Sequence, residues 1–237
     1  MIRTFLIIGL LLLNCNLIAQ EKVVKNHKAN GIENVSVEVK FAKNIEIKNW
    51  NKNEISVEAI PNLNNNKDNK YFSLKEDKLG DTYIIKSDYG DYFEKRKIEY
   101  SKSKKGDCYN NYEMYVNYTI YVPKNMQLKV KSISGNVDAL SYTGNLTLDL
   151  ISGNITVKKH SKNMKLKTIS GDIDVAVSDA KFKAETLTGA VYSDLDIDFD
   201  KNKEKFHMGS KIYGTVKNGL ASLDLKTISG NIFLRKQ

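Results

Sequence analysis

The stretch Ile133-Ser134-Gly135-Asn136-Val137 decides the fold, because near-copies of it return at a fixed interval through the second half of the chain. Each copy reads apolar, small, glycine, mostly polar, apolar. The glycines of the first four copies lie 18 residues apart, and a fifth full copy follows near the C-terminus. The further copies are Ile151–Ile155, Ile169–Ile173, Leu187–Val191 and Ile228–Ile232. A fixed period of this kind is typical of stacked structural repeats.

The positions around each glycine predict how one repeat folds. Apolar residues recur seven, five and two positions before the glycine and two positions after it, so we expect all of them to face the interior. A strand cannot keep this set on one side without a bend or bulge, and a glycine suits the corner that follows. A weaker copy at Tyr142–Leu146 lies half a period away and predicts a second corner. At about 3.3 Å per residue the repeat has a contour of roughly 60 Å, enough for one full coil.

The predicted fold class is therefore all-β. It is a right-handed parallel β-solenoid (β-helix) with coils of about 18 residues, preceded by an N-terminal β portion that carries an inserted loop and hairpin region. The right-handed sense is the one that parallel crossovers prefer. A degenerate copy, Ile212–Val216, adds one more glycine between the fourth and fifth full copies. The predicted corner glycines are Gly135, Gly153, Gly171, Gly189, Gly214 and Gly230.

Two sets of outward residues are expected to form ladders from coil to coil. Four positions before the glycines the charge alternates in chain order, which predicts mild attraction between neighbouring coils. These residues are Lys131, Asp149, Lys167, Glu185 and Lys226. Directly after the glycines, polar residues are expected to stack at the corner: Asn136, Asn154, Asp172 and Asn231. The repeat lacks the aspartate-rich nonapeptide of calcium-binding β-rolls, so no metal site is predicted.

The chain divides into four parts by pattern. Residues 1–19 read as a signal peptide, with Arg3 before an apolar run and Ala19 at a cleavage site. Residues 20–34 are polar and are predicted to be flexible. Residues 35–126 alternate apolar and polar side chains, as half-buried strands do, with an insertion at about 62–107. Within the insertion, the polar 62–70 is predicted to be an exposed loop, and 72–74 and 83–85 are predicted to be two strands joined around Leu79-Gly80-Asp81. The basic 94–105 is predicted to be another loop or a protruding hairpin. Residues 127–237 are the repeat solenoid.

The predicted signal peptide indicates an exported protein that is periplasmic, associated with the outer membrane or secreted. Cys15 leaves a second option open, which is cleavage before a lipid-modified cysteine. Once the signal is removed, no transmembrane segment is expected, and Cys108 is the single cysteine. One cysteine cannot form an internal disulfide, so it is either a free thiol or a cross-link between two chains.

The net charge of +9 predicts either acidic neighbours, such as lipid headgroups or polyanionic glycans, or a solvated lysine-rich surface. The excess is spread along the chain, so nucleic acid is not an expected partner. The densest aromatic stretch places Tyr118 inside and turns Tyr115 and Tyr121 outward, as a candidate interaction surface for sugar rings or a protein. Asp194, Asp196, Asp198 and Asp200 are expected on one face of a strand, as a solvated face or a cation attractor.

Catalysis has no motif in the sequence. The three histidines, His27, His160 and His207, lie in unrelated contexts. There is no HExxH, CxxC, nucleophile elbow or phosphate loop. We therefore predict a protein that is not an enzyme and that has no catalytic residues and no cofactor. Two alternatives stay open: a β-helix enzyme acting on polysaccharide, and a periplasmic sensor or regulatory partner of an envelope signalling system.

The repeated Ile-Ser-Gly-Asn/Asp-Ile corners, preceded by the segment Val116–Leu128, resemble a bacterial putative-adhesin family, a domain of unknown function. The resemblance runs from about Val35 to the end of the chain, and the Asn/Lys-rich insertion departs from it. It implies a β-solenoid at the cell envelope and carries over no catalytic residues. We therefore expect an adhesion or interaction surface that contacts a glycan or protein of the envelope. The last coil ends close to Arg235 without a further cap, which predicts end-to-end self-association.

Overall fold

The fold is described from a computed structural model of the chain. The structure describes residues 21–102, 113–159, 162–196, 198–199 and 209–236. The predicted signal peptide, Cys15, Cys108, His160 and His207 lie outside these residues.

Strands dominate the described residues. Before the repeats, the strands are β1 (Val23–Lys28), β2 (Asn34–Val39), β3 (Ala42–Trp50), β4 (Glu54–Leu63), β5 (Ser73–Leu79), β6 (Thr82–Asp88) and β7 (Met114–Pro123), with a 3-10 turn (Asn69–Tyr71) and one helix, α1 (Tyr92–Lys102). The repeats supply β8 (Gln127–Ser132), β9 (Asn136–Ala139), β10 (Leu146–Ser152), β11 (Ile155–Val157), β12 (Met164–Ser170), β13 (Ile173–Val177), β14 (Ala180–Thr186) and β15 (Val191–Ser193). The last strands are β16 (Asp198–Phe199), β17 (Ser210–Val216), β18 (Ala221–Thr227) and β19 (Ile232–Lys236).

Two sheets, built mainly from parallel pairs, enclose one hydrophobic core. Among the described residues, sheet A runs in the order β1-β4-β7-β3-β9-β11-β13-β19-β15. Sheet B runs in the order β16-β17-β14-β18-β12-β10-β8-β2-β6-β5. Each coil gives one strand to sheet B, turns at its glycine and gives the next strand to sheet A. This arrangement confirms the all-β solenoid.

The coil length is 18 residues in both sheets. Leu146 pairs with Met164 in sheet B, and Ile155 pairs with Ile173 in sheet A. Identical positions of successive coils therefore lie side by side. Their inward side chains are buried, because both sheets turn the same alternate residues toward each other. The same stacking extends back to β2 and β3, which pair with β8 and β9.

The C-terminal coil lies inside the stack and not at its end. Strand β18 pairs with β12 on one side and β14 on the other, and β19 lies between β13 and β15. The expected stacking in chain order is therefore right for the first three glycine coils and wrong for the fourth. After β15 the chain returns antiparallel along β14 as β17, turns at Lys217 and Gly219, and fills the gap. In sheet B, β17 and β16 lie beyond β14, so the uncapped end expected at Arg235 is not where the stack ends.

Five of the six predicted corner glycines form one column, which runs in the order Gly135, Gly153, Gly171, Gly230 and Gly189. A Cβ atom on Gly153 would overlap the carbonyl oxygen of Gly135, and the same overlap recurs along the column. Gly153 also has a φ of +141°, which side chains disfavour. The sixth glycine was predicted wrongly. Gly214 lies within β17, opposite Phe182, because this copy is part of the antiparallel return.

The N-terminal portion is more ordered than its composition indicates. Residues 20–34 were expected to be flexible, but β1 pairs antiparallel with β4. In the insertion, β5 and β6 form the expected hairpin, and β6 extends sheet B beside β2. The polar 62–70 segment is a folded turn, since Asn69 is buried and its amide bonds to the backbone of Leu63 and Pro61.

Residues 94–105 were expected to form a loop or hairpin, and the structure instead has helix α1 over 92–102. Ion pairs join its residues at helical spacing, such as Arg96 with Glu99, which supports a helix despite the absence of an apolar stripe. At its first turn, Phe93 packs on Phe41 with ring centroids 5.5 Å apart. The helix therefore docks through its N-terminal turn.

Candidate functional site

The outer face of sheet B is exposed and rich in lysine. Its five central strands, β8, β10, β12, β18 and β14, turn alternate side chains outward. Among the described residues of these strands, the outward charged positions carry seven lysines and three carboxylates. We call the lysines the lysine rows: Lys129, Lys131, Lys165, Lys167, Lys181, Lys183 and Lys226. The carboxylates are Asp149, Glu185 and Asp224.

The charge ladder across this face differs from its expected order. In space it runs Lys131, Asp149, Lys167, Lys226, Glu185. Lys167 and Lys226 are therefore neighbours of like charge, because the C-terminal coil lies between the third and fourth glycine coils. The expected alternation is wrong at this step.

The three carboxylates do not neutralise all of the lysines. Lys131 pairs with Glu38 at 3.3 Å, and Lys183 with Glu185 at 3.1 Å. Among the described residues, however, Lys129, Lys165, Lys167 and Lys181 form no ion pair within 4.0 Å. Four cations on this face thus remain available to another molecule, three of them on β8 and β12.

Glu185 is the acidic centre of the far end of the face. It accepts a 2.8 Å hydrogen bond from Lys226 and forms ion pairs with Lys183 at 3.1 Å and Lys211 at 3.9 Å. The bond from Lys226, followed by the Lys183 ammonium, lowers the pKa of Glu185 from 4.5 to about 2. This carboxylate is ionised at any physiological pH and ties three strands together.

A row of exposed aliphatic side chains borders the lysine rows. We call it the aliphatic ridge: Ile133, Ile151, Ile169, Ile228 and Leu187, which are 39%, 51%, 48%, 40% and 44% exposed. Backbone hydrogen bonds stack its members, for example from Ser152 N to the carbonyl of Ile133 at 3.0 Å. These residues were expected in the core. The strand instead keeps its alternation up to the third position before the glycine, so the second position points outward.

Small polar residues occupy the inward position that the ridge leaves free. Ser132, Thr168, Thr227 and Thr186 are buried there. The hydroxyl of Thr168 donates to the carbonyl of Gly153 at 3.0 Å. Each threonine thus satisfies a glycine carbonyl of the neighbouring coil, which explains a polar side chain in the core.

The polar ladder after the glycines forms as expected. The side-chain oxygen of Asn136 accepts from the backbone N–H of Asn154 at 3.0 Å, and that of Asn154 accepts from Asp172 at 2.8 Å. The ladder continues through Asn231 to the N–H of Ala190. Every side chain in it is used to join coils, so its role is structural.

The two predicted interaction tyrosines lie on the outer face of sheet A, but their rings are covered. Tyr121 stacks on Trp50 with centroids 4.9 Å apart, and Lys48 lies 5.8 Å from its centroid. Tyr115 carries Lys43 at 4.5 Å. Both tyrosines are half-buried, and the sheet does not bring them together with the lysine rows.

At the far edge of sheet A, a shallow depression of about 250 Å³ lies beside the stacked rings of Tyr192 and Phe233. The predicted acidic strand does not form over residues 194–196: among the residues that the structure describes, β15 ends at Ser193 and β16 covers Asp198–Phe199. Asp194 accepts a 2.6 Å hydrogen bond from the backbone N–H of Lys236 and so holds the C-terminal end of β19. Asp200 lies outside the described residues.

The described residues contain no cluster of three or more metal-ligating side chains. Within the same residues, no helix has the length and apolar character needed to cross a membrane.

Known proteins resemble this chain in sequence pattern and in fold. Residues 124–235 match the Toastrack DUF4097 family. A putative cell adhesion protein from Clostridium sporogenes matches with a TM-score of 0.53 at 14% identity, over 92% of this chain and 99% of that chain. A putative adhesin from Bacteroides fragilis has a TM-score of 0.34 at 12% identity, over 92% and 98%. A putative lipid binding protein from Parabacteroides distasonis has a TM-score of 0.29 at 12% identity, over the same shares. No curated protein matches the sequence.

The similarity to the Clostridium sporogenes protein shows a shared fold. The other two TM-scores are too low to support any comparison of structure. The family match begins just before β8 and ends within β19, so it spans the coils that carry the glycine column, the lysine rows and the aliphatic ridge. Residues 124–235 of this chain therefore match the Toastrack DUF4097 family, a bacterial domain of unknown function.

Proposed function

We propose that this protein is a non-enzymatic module of the cell envelope that uses the outer face of sheet B as its adhesion or interaction surface. The observation that carries the proposal is the group Lys129, Lys165 and Lys167. These lysines point outward from β8 and β12, and within the described residues they lack ion-pair partners. Unpaired cations on a fixed scaffold attract acidic groups of another molecule and speed their encounter.

The backbone under these lysines supports multivalent contact. Strands β8, β10 and β12 are hydrogen-bonded in register, so the lysines of β8 and β12 lie two strand spacings apart, about 9.6 Å across the sheet, and lysines on one strand lie about 6.6 Å apart along it. A partner with repeated negative charges meets several of them at once. Because the sheet is already ordered, little conformational entropy is lost from its backbone on binding.

The absence of catalysis is part of the proposal. Glu185 has a strongly lowered pKa and is tied to lysines, which suits a structural anion better than a proton donor. The envelope location rests on the predicted signal peptide and on the names of proteins with similar structures, such as the putative cell adhesion protein.

The test is binding of the purified labelled protein to whole bacterial cells and to isolated envelopes. The variant Lys129→Gln/Lys165→Gln/Lys167→Gln removes the three unpaired cations of β8 and β12. A matched control, Lys124→Gln/Lys158→Gln/Lys159→Gln, removes the same charge near the opposite corner of the coils. We expect the first variant to bind at least tenfold more weakly and the control to bind like the parent.

Three outcomes would overturn the proposal. The first is a parent protein that binds neither cells nor envelopes, and the second is binding that both triple variants weaken equally. The third is turnover of an envelope polysaccharide that a single carboxylate substitution abolishes, because that result would make the protein an enzyme.

A further inference from the structure

The aliphatic ridge and the lysine rows lie on the same face and run parallel to each other. In β12, Lys165, Lys167 and Ile169 are alternate residues of one strand, so each lies about 6.6 Å from the next. Across the strands the ridge spans five coils, which is roughly 19 Å at 4.8 Å per step. The face is therefore amphipathic, with an apolar line along one border and cations beside it.

The ridge has no role in the core. The inward position beside each member is filled by another side chain, Leu150 in one coil and serine or threonine in the others. The five ridge side chains nonetheless remain between 39% and 51% exposed. Contiguous exposed apolar side chains rimmed by polar residues are typical of an interaction site.

The charge differs on the two sides of the ridge. On the sheet B side are the lysine rows. On the sheet A side, past the glycine corner, the outward positions include Asp138, Asp172 and Asp174, of which Asp174 is paired with Arg235 at 2.8 Å. A negatively charged partner therefore approaches from the sheet B side.

We propose that this face binds the surface of an anionic lipid bilayer, with the aliphatic ridge among the upper acyl chains and the lysine rows at the phosphates. This inference rests on the proposed envelope role and names its partner. An anionic bilayer has an apolar layer that matches the aliphatic ridge and, directly above it, a plane of negative charge that matches the lysine rows. A polyanionic glycan supplies the charge alone. A second copy of the chain would place lysine rows against lysine rows in a symmetric contact.

The dimensions agree with this arrangement. Interfacial apolar faces enter the boundary of headgroups and acyl chains by about 5–10 Å. The nearest charged row, which carries Lys131, Lys167 and Lys226 together with Asp149 and Glu185, lies about 6.6 Å along the strands from the ridge. When the ridge is immersed to that depth, these ammonium groups lie at the level of the phosphates. The acidic flank on sheet A is tilted away from the membrane.

The test uses vesicles of phosphatidylcholine containing 30% phosphatidylglycerol, with pure phosphatidylcholine vesicles as the comparison. Co-flotation measures the bound fraction at low and high salt. We expect binding to the anionic vesicles only, and weaker binding as salt rises, because screening acts on the lysines. Each lysine near an anionic surface contributes roughly fivefold in affinity. The Lys129→Gln/Lys165→Gln/Lys167→Gln variant should therefore bind the anionic vesicles about a hundredfold more weakly than the parent.

The ridge is tested by Ile151→Asn/Ile169→Asn, which alters two half-exposed side chains. The matched control is Leu79→Asn/Leu220→Asn, which alters two more exposed leucines away from the ridge, at 73% and 81% exposure. Circular dichroism and thermal unfolding establish that each variant folds. We expect the ridge variant to lose at least tenfold in binding to anionic vesicles and the control to keep it.

A depth measurement adds a second readout. Ile169→Trp in a Trp50→Phe background places the single tryptophan on the ridge, and its emission should shift to the blue on anionic vesicles. An unshifted spectrum overturns the inference.

The remaining outcomes separate the inference from the proposed function. A ridge variant that binds anionic vesicles as well as the parent shows charge attraction alone and overturns the inference. So does a parent protein that sediments as a dimer which the ridge variant dissociates. If the parent binds cells and envelopes through the lysine rows but never binds vesicles, the bilayer inference fails while the proposed function stands.

Discussion

The hydroxyl of Thr227 donates a 2.9 Å hydrogen bond to the carbonyl oxygen of Gly171, which lies 56 residues earlier in the chain. On the other side of the same coil, the hydroxyl of Thr186 donates to the carbonyl of Gly230 at 2.8 Å. These two bonds hold the C-terminal coil between the third and fourth glycine coils. The last segment of the chain therefore completes the middle of the core and makes the aliphatic ridge continuous.

Thr227→Val keeps the shape of this buried side chain and removes its donor. The carbonyl of Gly171 then loses its bond from the neighbouring coil, so the free energy of unfolding should fall by about 1–2 kcal/mol. The outward Thr147→Val on β10 is the control and should change it by less than about 0.5 kcal/mol. Denaturant unfolding measures both. Equal effects of the two substitutions would contradict the role given to Thr227.

Gly153→Ala tests the close approach in the glycine column. The added Cβ would overlap the carbonyl of Gly135, and the φ of Gly153 is +141°, so the free energy of unfolding should fall by about 4 kcal/mol or more. Gly80→Ala is the control, because Gly80 has a φ of +63° but no atom near the added Cβ. The Gly80→Ala substitution should lower the free energy of unfolding by only about 1–2 kcal/mol. A column that tolerates alanine as well as the Gly80 turn would refute the packing described.

Hydrogen exchange should show unusually strong protection close to the C-terminus. The amides of β18 should exchange as slowly as those of β12, because β18 is hydrogen-bonded on both sides. The edge strand β5 should exchange faster. Chain termini commonly fray, so fast exchange throughout β18 and β19 would argue against their internal position.

Glu185→Gln should destabilise the protein at neutral pH but not in strong acid. The pKa of Glu185 is lowered from 4.5 to about 2 in the folded protein, so its contribution is complete above pH 4.5 and is lost as the pH falls toward 2. With solvent screening, we expect a difference of about 1 kcal/mol at pH 7. The measurement is denaturant unfolding from pH 7 to pH 2. Asp149→Asn, which removes a carboxylate without an ion pair among the described residues, should show a smaller change. A Glu185→Gln difference that does not shrink with acid would contradict the assigned ion pairs.

The coil length and the glycine column follow from the sequence, because an 18-residue period aligns the same positions of every coil. The order of the coils does not follow. The copies around Gly189 and Gly230 carry equivalent patterns, and either could pair with the coil of Gly171. The antiparallel return of β17 along β14 decides that the coil of Gly230 takes this place, and no local sequence pattern predicts that return.

The direction of the ridge side chains could have been found from one signal. The third position before the glycine is serine or threonine in four of the five full copies, and the three threonines bond to the neighbouring coil. The alternation is not obvious because the inward third position is mostly polar and the outward second position is apolar. Strand β1 was missed for a related reason, since its inward residues are partly polar. Lys25 bonds to Glu76 at 3.4 Å, and His27 stacks on Tyr83 at 4.3 Å.

The most direct test of the account is a pair of disulfide cross-links in a background where Cys15 and Cys108 are replaced by serine. Ser170 is bridged to Ser229 in neighbouring coils, whereas Thr188 lies one coil further away, at roughly 10 Å. A disulfide needs Cα atoms within about 7 Å. Under mild oxidation, followed by peptide mass spectrometry, Ser170→Cys/Ser229→Cys should cross-link and Ser170→Cys/Thr188→Cys should not. The reverse result would show that the coils stack in chain order and would contradict both the internal C-terminal coil and the continuous ridge.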